Sequence, residues 1–350
     1  MRVLITAGQL RRRVPGGIGT YVRSLFSGLA EVGGVEAQAW APRWPAGPLG
    51  LGPGVPERLS ALPATLLTRA WDLNRCTPPG DVDRVHAASV AVPARRRPTP
   101  PMSCFVHDLA WRRVPDAYPR RGRRWHDAAL ARAITRCDLL MVPSSQTADD
   151  LLAAGARHQS VHLVAEGCDH LPLHGRVAGG GTFLLSVSTL EPRKNLRRLV
   201  EAYSLARPHL AHPWPMRIVG PAGWGDDLAD LATVDGVELL GHVGDEDLAL
   251  LLSQARALAY VPLVEGYGLP AVEAMRAGLP VLSSPVPSVV PGTAVTVDPS
   301  DVHAMATALA LVLDDDDLRA SISGNATRHV AALTWRASAA AHLELWEAAT

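Results

Sequence analysis

The sequence predicts an α/β protein made of two doubly wound parallel-sheet domains, and three observations carry that prediction. Short apolar runs rich in Val, Leu and Ile alternate with longer amphipathic stretches along most of the chain, the pattern of parallel strands covered by helices on both faces. At 350 residues the chain exceeds one ordinary domain of roughly 150 residues and suits two. The alternation also restarts after residues 171–181, LPLHGRVAGGG, whose low bulk and glycine content read as a linker.

In the first half, Val3 to Thr6 reads as a strand, residues 8–19 as a Gly- and Arg-rich loop, and Thr20 to Glu31 as an amphipathic helix ending near Gly33-Gly34. Residues 42–63 are crowded with Pro and Gly and read as a long irregular excursion. Met102 to His107 predicts a strand, Trp125 to Cys137 a helix and Leu139 to Pro143 a strand. Ser145 to Ala154 reads as a helix capped by Ser144 or Ser145. In the second half, strands at Phe183 to Val187, Met216 to Val219 and Val237 to Leu240 alternate with helices at Asn195 to Ala206 and Asp245 to Ala255. Ala257 to Val264 then reads as a buried strand, followed by a Gly-rich turn, Pro270 and a helical run that stops at Gly278.

Composition narrows the class. Apolar content of 47% supplies a core and 19% charge argues against disorder. Cys76, Cys104, Cys137 and Cys168 are widely spaced without a CxxC pair; they fit reduced, mostly buried thiols of a cytoplasmic protein, not a disulfide framework or a zinc site. The N-terminal MRVLITAG reads as a first strand, not a signal peptide. No window offers 18 uninterrupted apolar residues, so the expectation is a soluble protein, at most peripheral to a membrane.

The net charge of zero hides an asymmetry. Residues 1–170 carry 22 Arg against 14 acids, net +8, and residues 171–350 are net −8. The basic half includes Arg11-Arg12-Arg13, Arg95-Arg96-Arg97, Arg112-Arg113 and the run Arg120, Arg121, Arg123 and Arg124 before Trp125. Such clusters attract phosphates or anionic lipid head groups, or face an acidic partner domain. They lack the interleaved stacking aromatics of a nucleic-acid binder, so no nucleic acid is expected.

Chemistry concentrates at predicted strand ends. In ALAYVPLVEGYGLPAVEAMRAG, residues 257–278, Glu265 lies in the turn and Glu273 is expected in the first helical turn. A helix start offers free N–H groups for an anion, and two carboxylates beside it suit the neighbouring hydroxyls of a polyhydroxylated ligand. The residues alone equally admit a Glu273 that only complements the dipole and a Glu265 that is solvated. Ser188-Thr189-Leu190-Glu191-Pro192-Arg193-Lys194-Asn195 lies between a strand and a helix, and Lys194 is the only lysine beside 33 arginines. An ammonium next to a guanidinium suits a diphosphate. Gly16-Gly17-Ile18-Gly19 fails as a dinucleotide fingerprint, because the third glycine and the acid about 20 residues on are missing. His107 ends a strand and reads as catalytic or structural; Gly220-Pro221-Ala222-Gly223-Trp224 reads as a ligand wall or a turn, and Tyr267 as a stacking or packing residue. Asp314 to Asp317 reads as a solvated acidic turn.

In order, these pieces resemble the retaining glycosyltransferases of family 4, which have the GT-B fold. The resemblance runs through GGIGTYVRSL at 16–25, VHDLAW at 106–111, VPSSQTADDL at 142–151, STLEPRKNLRRLVEAY at 188–203, IVGPAGW at 218–224, LLGHVGDEDL at 239–248, EGYGLPAVEAMRAGLPVLSS at 265–284 and LTWRASAAAHLELW at 333–346. It implies two Rossmann-like domains facing across a cleft: 1–172 for the acceptor, 173–332 for the donor, and a final helix within 333–350 crossing back. Arg193 and Lys194 would bind the donor diphosphate, Glu265 the sugar hydroxyls and Glu273 the ribose. Backbone at His242 and Val243 would edge the base, and Gly220, Gly266, Tyr267, Gly268 and Leu269 would line the donor. Gly17 would lie near the diphosphate, and His107 would face the sugar near the reacting carbon.

The resemblance implies a hexosyltransferase using a nucleotide-sugar, GDP-mannose as the first expectation and UDP-sugars next, with no metal ion and no further cofactor. The partner would be a glycan or a lipid-linked acceptor, met at an anionic membrane face. A catalytically silent nucleotide-sugar-binding partner protein is the alternative. Two positions depart from the family pattern: Pro287-Ser288 replaces a common Pro-Glu pair, and Ser188 replaces the usual Gly.

Overall fold

A computed structural model describes residues 1–45, 47–96, 99–177, 181–224 and 228–349. Arg97 of the second arginine cluster and residues 178–180 of the glycine-rich stretch lie outside the described residues. The chain divides into two compact units: Met1–Arg112, Pro119–Gly167 and Leu333–Thr350 form the first, and Arg113–Tyr118 with Cys168–Ala332 the second.

The first unit holds β1 (Arg2–Thr6), α1 (Gly16–Val32), β2 (Glu36–Pro42), β3 (Glu57–Ser60), α2 (Ala64–Asp72), β4 (Arg84–Ala87) and β5 (Met102–Phe105). After a single turn, α3 (Ala110–Arg113), come α4 (Arg120–Arg136), β6 (Leu139–Val142), α5 (Ser145–Ala153) and β7 (Val161–Leu163). The strands form one parallel sheet in the order β3-β2-β1-β4-β5-β6-β7. Ser144 caps α5, its side chain accepting from the Thr147 amide, as expected of a serine at that position.

The second unit repeats the plan. Its elements are β8 (Leu184–Val187), α6 (Leu196–Ala206), β9 (Met216–Val219), β10 (Val237–Gly241), α7 (Asp245–Gln254), β11 (Ala257–Tyr260), α8 (Leu269–Arg276), β12 (Val281–Ser283), β13 (Val295–Thr296), α9 (Val302–Asp314) and α10 (Asp316–Val330). Its parallel sheet runs β10-β9-β8-β11-β12-β13. Both sheets therefore reverse strand order beside their first strand, the Rossmann arrangement, and ligands of such sheets bind at the carboxyl ends flanking that reversal.

The last helix, α11 (Trp335–Ala348), belongs to the first unit. It lies so close to α1 that a Cβ on Gly28 would stand 2.3 Å from the Trp335 carbonyl oxygen. Beneath it runs a buried hydrogen-bond chain. Trp346 Nε1 donates to Ser103 Oγ at 2.9 Å, Ser103 Oγ meets His86 Nδ1 at 2.9 Å, and Tyr21 Oη lies 2.8 Å from both His86 Nε2 and His342 Nε2. His342 Nδ1 contacts the Ser338 carbonyl at 2.8 Å. Because that carbonyl only accepts, His342 carries its proton on Nδ1 and accepts from Tyr21; Tyr21 then accepts from His86 Nε2–H, whose Nδ1 accepts from Ser103. Every step is met by neutral groups, and burial pushes His86 well below its ordinary value and His342 down to about 4.

Several expectations need correction. The loop expected over 8–19 contains a short helical turn at Gly8–Arg11, and α1 begins at Gly16; low glycine propensity is overridden because Gly19 packs against Pro15, with 2.4 Å to a would-be Cβ. The excursion over 42–63 contains the edge strand β3. The described part of 171–181 is not a loose linker: Arg176 donates to the carbonyls of Leu252 and Ala255, and the Val177 amide to Ser253, at the end of α7. The acidic run at 314–317 is exposed, as expected; it joins α9 to α10, where Asp315 caps α10 by accepting from the Leu318 amide and Asp316 pairs with Arg319 and Arg256. The cysteines are free, three of them buried. No described helix is long and apolar enough to cross a membrane.

Candidate active site at a strand-order reversal

In the second unit the reversal falls between β8 and β11, so the loops after these strands meet although far apart in sequence. The first loop ends in a tight helical turn, Pro192–Lys194, and Asn195 follows in the left-handed region at φ 62°. Asn195 Nδ2 donates to the carbonyls of Val261 at 3.2 Å and Pro299 at 2.7 Å, and the Leu263 amide donates to the Arg193 carbonyl at 2.9 Å. These bonds join the two loops and bring Arg193, Lys194 and Glu265 together.

Glu265 Oε1 lies 2.5 Å from Lys194 Nζ and 2.8 Å from Arg193 Nη1. Lys194 Nζ also donates to Tyr260 Oη at 3.4 Å and stands 5.5 Å from the Tyr260 ring centre. Burial alone would raise the Glu265 carboxyl, but the Arg193 and Lys194 charges more than reverse this and hold it at about 2. At neutral pH it is a carboxylate, able only to accept hydrogen bonds. Tyr260 is pushed well above its ordinary value by burial and the Glu265 charge, which keeps it a phenol. Behind Arg193 sits Glu191, 2% exposed, which accepts from Arg193 Nε at 3.1 Å and pairs ionically with Nη2 at 2.9 Å. Burial raises Glu191, with Arg193 and Lys194 opposing.

Glu273 is buried, but it is the fifth residue of α8 and not in its first turn as expected. The helix starts at Leu269, so Glu273 projects from the second turn, where it meets His170 Nε2 at 3.1 Å. Burial disfavours a charged His170, yet the hydrogen bond and charge of Glu273 prevail and raise it. Nothing in the sequence singles out His170 or Glu191; the partner of each becomes visible only in the folded chain.

The remaining expected residues line these loops. Gly220, at φ 149° after β9, allows close approach, since a Cβ there would stand 1.9 Å from the Ser188 carbonyl oxygen. Gly268, at φ 106°, starts α8, and the Ser288 hydroxyl donates to its carbonyl at 3.2 Å. Between Glu265 and this start lie Gly266 and buried Tyr267, with Leu269 as the first helical residue. Val243 is half-buried just after β10. Trp224 Nε1 donates to the Ala117 carbonyl at 3.1 Å, which fixes the turn after β9. Ser188 is 8% exposed, and its hydroxyl has no hydrogen-bond partner among the described residues.

Gly17 and His107 belong to the first unit. Gly17 lies in the first turn of α1. His107 follows β5, with Nδ1 3.0 Å from Glu166 Oε1 and Nε2 3.1 Å from the Ala88 carbonyl oxygen. A carbonyl only accepts, so Nε2 carries a hydrogen. Glu166 is 5% exposed; it is a further residue that sequence reasoning did not single out.

Two Rossmann-like parallel sheets in one chain are the fold of a GT-B protein. The sequence assigns the branch: residues 15–170 match the profile described as Glycosyltransferase Family 4, and residues 175–329 that of Glycosyl transferases group 1. The chain belongs to the family 4 glycosyltransferases. It is 29% identical over 250 residues to O-antigen chain mannosyltransferase B of Escherichia coli, covering 65% of each chain. It is 30% identical over 246 residues to the MMP alpha-(1->4)-mannosyltransferase of Mycolicibacterium hassiacum, covering 65% of this chain and 58% of that protein. These matches span less than two thirds of the relatives' own lengths. Other relatives carry the name D-inositol 3-phosphate glycosyltransferase. Among solved structures, sucrose-phosphate synthase from Thermosynechococcus elongatus superimposes with a TM-score of 0.79 at 20% identity, over 99% of this chain and 98% of that one.

Proposed function

We propose that the chain is a retaining hexosyltransferase that moves a sugar, mannose from GDP-mannose, from a nucleotide-sugar to a glycan or lipid-linked acceptor. The observation that carries the reading is the Lys194–Glu265–Arg193 cluster at the reversal between β8 and β11. The mannosyltransferase names of several relatives favour mannose and polysaccharide synthesis.

The chemistry follows from charge. As the glycosidic bond to the donor diphosphate breaks, negative charge grows on the departing phosphate. A fixed ammonium backed by a guanidinium stabilises that charge more in the transition state than in the ground state. Glu265, ionised at neutral pH, accepts hydrogen bonds from sugar hydroxyls, and Glu273, oriented by His170, accepts from the ribose. The start of α8 at Leu269 offers the positive end of a helix to an anion. Gly220 and Val243 bound the nucleotide base, and Gly17 offers a backbone amide at the start of α1. In this reading the departing phosphate takes the proton of the incoming hydroxyl on the same sugar face, which preserves configuration without an enzymic nucleophile. In the first unit both ring nitrogens of His107 are engaged, by Glu166 and the Ala88 carbonyl, and no proton transfer is assigned to it.

A basic face of the first unit supports contact with an anionic membrane. Leu66 and Leu73 are exposed around α2, Asp72 ties α2 to Trp125 and Arg132 of α4, and Arg120 and Arg121 stand exposed in the first turn of α4 with Arg124 exposed just after it. Cations there oppose the helix dipole, so an external anion relieves them. Flotation with vesicles containing acidic lipid tests this, and binding indifferent to lipid charge contradicts it. The transferase reading is tested by incubating the protein with GDP-mannose and following release of GDP. Release is expected, and silence with every nucleotide-sugar tried overturns the reading.

A further inference from the structure

We infer that Arg193 is a positioning residue and not a ligand of the donor phosphates: with Glu191 it forms a buried frame that fixes the Glu265 carboxylate, and Lys194 is the cation that meets the donor. The inference rests on the transferase reading for its kinetic consequences, and on the geometry alone for its structural ones.

A guanidinium has five N–H donors. In Arg193, Nε donates to Glu191 Oε1 at 3.1 Å and Nη1 to the Val264 carbonyl at 3.1 Å, while Nη2 pairs ionically with Glu191 Oε1 at 2.9 Å and Nη1 with Glu265 Oε1 at 2.8 Å. All three guanidinium nitrogens thus lie within 3.1 Å of protein oxygens of the two loops. The flanking carboxylate is 2% exposed and Arg193 itself 9%. A group that is to clasp a diphosphate in a fork must have two parallel N–H bonds to give; here each nitrogen of the fork already faces a protein oxygen. Lys194 differs. Its ammonium has three donors, and the bonds to Glu265 and Tyr260 use two of them.

The division of labour has a physical reason. Glu265 must stay ionised in a pocket where burial opposes its charge, and it must keep one orientation while hydroxyls come and go. A planar guanidinium held from behind by a second carboxylate fixes direction in a way that a flexible ammonium cannot. Arg193 adds positive charge to the site from behind, but its contacts are with the protein.

The test compares Arg193→Met, Arg193→Lys, Glu191→Gln and Lys194→Met in two measurements. The first uses no ligand. Arg193→Met strands two buried carboxylates and is expected to lower the melting temperature clearly more than Lys194→Met, and its effect is expected to be non-additive with Glu191→Gln. The second is calorimetric titration with GDP and with UDP, each alone, beside turnover of the corresponding nucleotide-sugar. Arg193→Met and Glu191→Gln are expected to keep nucleotide affinity within about threefold while turnover falls at least tenfold, with partial rescue by Arg193→Lys. Lys194→Met is expected to lose at least tenfold in nucleotide affinity. Should Arg193→Met fail to fold, Glu191→Gln carries the same kinetic expectation. The inference is overturned if Arg193→Met weakens GDP or UDP as much as Lys194→Met does, if Glu191→Gln turns over normally, or if the two melting temperatures fall equally. Should the wild type bind neither nucleotide, the transferase reading fails, and the melting comparison alone decides the positioning role.

Discussion

Replacing Lys194 with alanine removes a charge whose surroundings are defined well enough to work out the consequence. The ammonium stands 2.5 Å from Glu265 Oε1 and 3.4 Å from Tyr260 Oη, with an 11% exposed side chain. As the donor cation that meets growing phosphate charge, its loss costs roughly 10²–10³ in turnover, or about 3–4 kcal/mol of transition-state stabilisation. The effect on folding is smaller. A carboxyl held at about 2 and not at 4.5 reflects about 3 kcal/mol of net favourable interaction, from both cations together and after the burial penalty. Arg193 remains 2.8 Å from the same oxygen, so Lys194→Ala is expected to cost on the order of 1 kcal/mol, a melting shift of roughly 2–4 °C. The assay pairs steady-state release of GDP or UDP from the nucleotide-sugars with a thermal melt. Turnover within threefold of wild type would refute the reasoning. So would a collapse of the fold large enough to explain the lost activity by itself.

Other consequences can be checked with the same preparations. Glu265→Gln keeps shape but removes the charge, so transfer is expected to fall at least tenfold while GDP or UDP affinity changes little; equal losses in both would contradict the separate roles. His86 and His342 are neutral in the fold, His342 down to about 4, whereas an unfolded histidine titrates near 6.5. The unfolded chain therefore binds more protons between pH 6.5 and 4, and stability falls across that window by about 3 kcal/mol for His342 alone. Hydrogen-exchange protection of α11 should decline from pH 7.5 to pH 5, and undiminished protection would contradict the neutral chain. Gly220→Ala drives a Cβ against the Ser188 carbonyl at 1.9 Å and is expected to destabilise by at least ~2 kcal/mol, read by urea unfolding; a neutral effect would show that the loop yields freely.

Much of the second unit's site is legible in the sequence because each half of it follows a strand and precedes a helix. The rarity of lysine marks Lys194, and the glycine turn before Pro270 marks Glu265. That the two touch follows from strand order, which brings β8 beside β11 although 71 residues separate the pair. What stays hidden has identifiable causes. Glu273 was expected one turn too early, because the helix start at Leu269 depends on the left-handed Gly268 and not on Pro270. Strands β4, β12 and β13 are only four, three and two residues long, too short for alternation to register. Helices α9 and α10 meet at an exposed acidic run whose local pattern does not reveal that Asp315 caps α10. Tyr21, His86 and His342 share no local pattern, since Tyr21 and His342 lie 321 residues apart and meet only when α11 packs on α1. Glu191 and Glu166 escape notice for a related reason: a buried carboxylate is recognised by its partner, and the partner comes from the fold.

The central claim is that the cluster around Lys194 holds an activated sugar, and a thermal-shift panel of GDP-, UDP-, ADP- and dTDP-sugars on wild type and Lys194→Ala tests it most directly. A donor at 100 times its dissociation constant stabilises the folded state by about 2.7 kcal/mol. The account predicts that GDP-mannose, or another member of the panel, raises the melting temperature of the wild type and that Lys194→Ala largely abolishes the shift. A panel in which no nucleotide-sugar moves the wild-type melt, or in which Lys194→Ala responds as fully as wild type, would contradict it.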